Sequence, residues 1–179
     1  MTPAEVLAFW FEETTPAQWW SKSPDFDHLI EARFAPLLAA ASHCELYAWR
    51  RSADGRLAEI LVLDQFPRNI FRDRPQSFAT DALALALAQE AVAAGADSAL
   101  DPVRRAFLYM PYMHSESPVI HVQALQLFAA PGMENNLAFE RRHQAIIDRF
   151  GRYPHRNAIL GRPSTPEELE FLKTPGSGF

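Results

Sequence analysis

The sequence has one cysteine, Cys44, two lysines and seven glycines in 179 residues. A single cysteine excludes an internal disulfide framework and a multi-cysteine metal site. So few glycines leave no Gly-rich phosphate loop, no Gly-x-Ser-x-Gly elbow and no Rossmann pattern. No apolar run reaches the ~18 residues of a membrane span. The start, Met1-Thr2-Pro3-Ala4-Glu5, lacks the basic region of a secretory signal and carries an early acid. A formal net charge of −5 argues against a dedicated nucleic-acid binder. These absences lead to an expected cytoplasmic protein with no nucleic-acid or membrane partner. With 48% apolar residues, the chain is long enough for one self-sufficient core, and a single domain over residues 1–179 is expected. Nothing in the sequence sets an oligomeric state.

What is present is proline, 14 residues, and arginine, 15 of the 17 cations. The prolines punctuate segments of helical spacing. Thr2-Pro3-Ala4-Glu5 is a capping box opening a helix to about Glu13, with Val6, Leu7, Trp10 and Phe11 on one stripe. Trp19-Trp20 reads as a connection. Ser23-Pro24 opens a second helix, in which Pro36 predicts a kink or break. Ser42 and Glu45 read as a further capping box. Asp54-Gly55 starts a helix through about Phe66 whose inner stripe is Leu57, Ile60, Leu61 and Asp64. Thr80 is expected to cap a helix from Asp81 to about Ala94. Asp101-Pro102 opens a short helix to about Tyr109, and Met110 to Ser117 reads as a loop between Pro111 and Pro118. Further helices are expected from Pro118 to about Ala130, from Asn135 or Asn136 to Phe150, and after Thr165-Pro166. Leu83, Leu85 and Leu87 alternate, but the alanines between them and the length of the segment favour helix. No window of strict polar and β-branched alternation survives, so the fold class is all-α, a compact domain of about eight to ten helices.

Three groups of polar residues interrupt this pattern. Asp64 falls on a core stripe, where an ionised carboxylate must be paired or hydrogen-bonded. His143 shares a stripe with Phe139, Ile146 and Phe150. Phe66-Pro67-Arg68-Asn69-Ile70 is echoed by Tyr153-Pro154-His155-Arg156-Asn157, each after a long helix. Arginine and asparagine are forked donors suited to planar or anionic groups. Between them, His114-Ser115-Glu116 offers an acid/base pair, His114 titrating near neutrality and Glu116 able to orient it. The alternative is structural: Asp64 pairs with Arg68, His143 donates to a carbonyl, and Ser115 and Glu116 cap the next helix. Glu140 and His143 have Glu-x-x-His spacing, but no second such pair follows, so no metal and no cofactor is expected.

The segments Leu63-Asp64-Gln65-Phe66-Pro67-Arg68-Asn69-Ile70, Phe107-Leu108-Tyr109-Met110-Pro111 with His114-Ser115-Glu116, and Phe150-Gly151-Arg152-Tyr153-Pro154-His155-Arg156-Asn157 with Leu160-Gly161-Arg162 resemble, in that order, an uncharacterised bacterial family called domain of unknown function 924. The resemblance covers nearly the whole chain, including Ser164-Thr165-Pro166-Glu167-Glu168 and Phe171-Leu172. It implies a tetratricopeptide-like superhelix without a readable repeat, and it implies no activity.

Three functions fit these residues. The first is a pocket of Asp64, Arg68, Asn69, His155, Arg156 and Asn157 that binds a small anionic ligand or a peptide carboxylate, with Arg152 and Arg162 adding to an excess of cations. The second is a hydrolase or transferase in the same pocket, with His114, Glu116 and His143 as its acid/base groups. The third is an interaction module in which the motifs only tie turns together.

Overall fold

The structure, a computed structural model, describes residues 1–178. Among them there is no β-strand. The helices are α1 (Pro3–Ala8), α2 (Pro16–Trp19), α3 (Pro24–Ser42), α4 (Ala53–Asp64) and α5 (Phe66–Ile70), then α6 (Asp81–Ala93), α7 (Pro102–Met113), α8 (Pro118–Phe128), α9 (Glu134–Phe150) and α10 (Pro166–Phe171). A π-helical turn, Phe9–Glu13, continues α1, and short 3-10 turns fill several connections. No helix among the described residues is long and apolar enough to cross a membrane.

The axis of the fold is α4. It packs against α1, α3, α6 and α7, and every residue from Leu57 to Asp64 is buried. A single inner stripe therefore understates this helix, which is enclosed on all sides. Its one other charged core residue, Glu59, takes both prongs of Arg50 at 2.7 Å. On the α1–α3 side the core is aromatic. Phe66 lies 4.6 Å from Phe34 and 5.7 Å from Trp10 between ring centroids.

Several local expectations give way to tertiary packing. Pro36 does not break α3: it lies on an exposed face, where the carbonyl of Ala32 that it leaves unbonded meets solvent. Ser42 is the last residue of α3 and donates to the Leu38 carbonyl, so it opens no capping box. Trp19 ends the short helix α2, which Thr15 caps through Gln18. Thr80 precedes α6 without capping it, because its hydroxyl donates instead to the Leu63 carbonyl at 2.6 Å. The largest correction is α7, which runs through Pro111 to Met113. All of Ala106–Met113 is buried, and that packing outweighs the one hydrogen bond a proline removes. The extension makes His114 the C-cap residue of α7 and fixes it, where a free loop was expected.

Gly55 is the position at which α4 requires a missing side chain. A methyl group there would run into the Trp49 carbonyl. In an ordinary helix interior, Gly→Ala gains about 1 kcal/mol. Here Gly55→Ala is expected to destabilise, with a lower urea midpoint at unchanged m-value; a raised midpoint would show that the turn before α4 gives way freely.

Candidate functional site

At the C-terminal end of α4, Asp64 enters the core almost fully buried, 1% exposed. Each carboxylate oxygen has a donor. Oδ1 faces His114 Nδ1 at 2.7 Å and Oδ2 accepts from Gln65 Nε2 at 2.5 Å. Arg68, one turn on, bonds the Asp64 carbonyl and stands 3.5 Å from Oδ1. Burial alone would raise the Asp64 pKa, but the charges of His114 and Arg68 and the hydrogen bonds to the carboxylate outweigh it and hold the group at about 2. The carboxylate is ionised at neutral pH, so His114 must present an N–H to it, and the proton sits on Nδ1. Burial and the Arg68 cation push the His114 pKa below its ordinary value against the pull of Asp64. The imidazole is therefore neutral near pH 7, with the lone pair on Nε2. That nitrogen has no hydrogen-bond partner among the described residues.

His114 lines a cleft of about 390 Å³. One wall comes from the turn before α6 and from α6 itself, with Phe78, Asp81, Ala82 and Leu85. The rest of the lining comes from the end of α7 and the residues after it, Pro111, His114, Ser115 and Glu116, and from Arg156 and Leu160. The two echoed aromatic-proline turns meet at Asp81. Arg68 grips its carboxylate with both prongs at 3.0 and 3.1 Å, and Arg156 adds one contact at 3.3 Å. Arg156 also donates to the His114 carbonyl at 3.0 Å. Its guanidinium is packed against two rings, 4.5 Å from the Phe78 centroid and 4.8 Å from that of Tyr153.

The other expected site residues lie elsewhere or act differently. Glu116 lines the cleft without touching His114. It binds Arg162 through two oxygens, at 2.6 and 2.8 Å, and accepts from the Tyr153 backbone N–H at 2.7 Å. The residue that orients His114 is Asp64. Asn69 faces away from the cleft and donates to Asp27, which also holds Arg72. Asn157, fully buried, ties Ser164, Glu168 and Arg162 together. His143 is buried and donates to the Phe139 carbonyl at 2.8 Å, its ring edge-on to Tyr153 at 5.7 Å. His155 is tilted against the same Tyr153 ring, at 5.5 Å between centroids. The expected excess of cations is cancelled by pairing: Arg152 goes to Glu168, Arg162 to Glu116, and Arg68 to Asp64 and Asp81. No cluster of three or more histidine, cysteine or acidic residues that could hold a metal occurs among the described residues.

A second histidine–carboxylate pair went unread in the sequence. His121 and Glu140 are both fully buried, Nδ1 to Oε1 at 2.6 Å. His121 Nε2 donates to the Ser115 carbonyl at 2.8 Å and so braces the segment that carries His114. The inner face of α9 is Glu140, His143, Ile146 and Ile147, while Phe139 is exposed. The apolar pattern placed Phe139 inside because the need of His121 for a partner cannot be seen along one helix.

Three imidazoles must stay neutral to remain packed here. Burial lowers His143 to about 3, burial and the Arg156 charge lower His155 to about 4, and His114 is also lowered. Below the unfolded value of 6.5 the unfolded chain binds more protons than the native one, so stability falls as pH falls. Urea titrations are expected to show a loss between pH 7 and pH 5 of up to about 2 kcal/mol for each fully shielded imidazole. His143→Leu is expected to flatten the slope. A midpoint independent of pH over this range would contradict the neutral assignment.

No curated protein of known function matches the sequence. A solved structure of a protein of unknown function from Agrobacterium tumefaciens is similar, with 38% identity, a TM-score of 0.91 and 96% of each chain covered. The sequence matches the family described as bacterial protein of unknown function (DUF924) over residues 6–176. The match takes in the Asp64, His114 and Arg156 segments together, and the chain belongs to that family.

Proposed function

We propose that the cleft binds a small molecule carrying an anionic group and that His114 works on it as a general base, in a hydrolysis or group transfer. The observation that carries this reading is the His114–Asp64 pair: Nδ1 is fixed on a buried, ionised carboxylate, and Nε2 has no partner on the wall of a cleft. A carboxylate on the far nitrogen sets the tautomer and stabilises the imidazolium that forms when the base takes a proton. Water or a substrate hydroxyl would give its proton to Nε2 as its oxygen attacks. The same proton would then pass to the leaving group. Arg156, beside the His114 carbonyl, is the cation placed to hold the anionic group of the bound molecule.

A tetratricopeptide-like kinship belongs to this proposal. It is supported by α6, α7, α8 and α9 each packing on the next in sequence, as stacked helical hairpins do. A cytoplasmic setting is part of the same proposal, supported by the exposed free thiol of Cys44. Binding without turnover is the second reading, favoured by the buried Arg156 Nε, which has no acceptor among the described residues.

The test is a panel of p-nitrophenyl esters and phosphomonoesters offered to wild type, His114→Gln and Asp64→Asn. With the proteins folded by circular dichroism, the rate is expected to fall by about 10²–10⁴-fold in both variants. The wild-type rate should rise with pH to a plateau, with an apparent pKa below 6.5, as the neutral base requires. Equal rates for wild type and His114→Gln would remove the catalytic role and leave the binding reading.

A further inference from the structure

We infer that the ligand of this cleft is a small monocarboxylate with an apolar body, its carboxylate docked on Arg156 and its body against Phe78, Ala82 and Leu85. This inference rests on the cleft being a ligand site and names the chemistry that the site selects.

Arg156 is a built anchor. It is 7% exposed, and aromatic rings at 4.5 and 4.8 Å fix its plane. Of its five N–H groups, one meets Asp81 and one the His114 carbonyl, and Nε is buried with no acceptor among the described residues. Asp81 gives it one contact, at 3.3 Å, longer than the 3.0 and 3.1 Å bonds that the same carboxylate accepts from Arg68. A buried guanidinium that shares its one carboxylate with Arg68 and keeps a donor over has room for a second anion, and a planar carboxylate matches its fork.

The charge of that anion is limited by its neighbours. Asp81 and Glu116 both line the cleft. Arg68 and Arg162 already pair with those two carboxylates, so Arg156 adds one positive charge to the cleft wall. A single negative charge matches it, and a phosphate dianion would leave one charge over beside two carboxylates. The rest of the lining is largely apolar: Phe78, Ala82 and Leu85 on one wall, Pro111 and Leu160 on the others. A volume of about 390 Å³ lies at the small end of the ~300–1,000 Å³ range of ligand pockets. The Arg156 bond to the carbonyl of His114 places the docked carboxylate beside the residue whose imidazole is the proposed base. The bond to be broken would therefore lie close to the substrate's carboxylate.

Calorimetry and thermal shift at fixed ionic strength and pH 7.5 test this with hexanoate and phenylacetate, their neutral amides, and phenyl phosphate. The carboxylates are expected to bind at least tenfold more tightly than their amides and more tightly than phenyl phosphate. Arg156→Gln should erase the gap between acid and amide. Because a buried arginine can be needed for folding, Ala82→Trp serves as a second variant: it fills the apolar wall, leaves Arg156 intact, and should abolish carboxylate binding. Amides binding as tightly as acids, or phenyl phosphate binding best, would overturn the inference. So would unchanged carboxylate affinity in Ala82→Trp. The two proposals fail separately. Carboxylates bound by wild type and His114→Gln with no turnover by either would sink the general base and keep the monocarboxylate. Turnover of neutral esters through His114, with no preference for acids, would do the reverse.

Discussion

A carboxylate placed at the end of a fully enclosed helix constrains everything around it. Asp64 cannot remain ionised in the core unless donors surround it, and the structure supplies them from three segments: Gln65 next to it, Arg68 one turn on, and His114 at the end of α7. Removing one partner of such a cluster leaves a buried charge uncompensated, a cost of about 3–5 kcal/mol. The arrangement therefore locks α4, α5 and α7 to one another. It also determines the chemistry of His114, because an ionised Asp64 leaves the imidazole one tautomer.

Charge neutrality extends outward from that pair. Arg68 stands between Asp64 and Asp81, and Arg156 shares Asp81 from the other side. Further out, Glu116 takes Arg162, which reaches Asn157, and Asn157 touches Glu168, itself held by Arg152. Arg152, the first hydrogen-bond partner of Glu168, holds that acid at about 2 in spite of its burial. This network ties the C-terminal segment to the loop after α7. Arg156 differs from the other arginines in it: it is more deeply buried, less fully bonded, and on the cleft wall. The other arginines of this network are spent on structure, and Arg156 keeps a buried N–H with no acceptor among the described residues.

The two histidine–carboxylate pairs divide the work of holding the site. His114–Asp64 opens on the cleft. His121–Glu140 is sealed, and its bond to the Ser115 carbonyl fixes the backbone immediately after His114. Burial raises the Glu140 pKa, and the His121 contact opposes that rise.

Much of this was legible along the chain. Caps at Thr2, Ser23 and Thr165, with proline after each, set helix starts because a capping hydrogen bond is local. Asp64 on a core stripe, and the two aromatic-proline turns, marked the site segments because a buried charge contradicts its own helix pattern. Partner choice was not legible. Asp64 rather than Glu116 orients His114, Asn69 serves Asp27 away from the cleft, and Glu140 rather than Phe139 faces inward. Each of those outcomes depends on which residue a second helix brings within about 3 Å. Pro111 inside α7 belongs to the same class, since burial of its neighbours overrode a local rule. The sequence by itself determined the helices, their caps and the residues that had to find polar partners, because those are set by spacing and side-chain chemistry. The tertiary structure decided the pairings, the cleft and the burial of an under-bonded Arg156, because hydrogen bonds between helices are fixed by packing rather than by order along the chain.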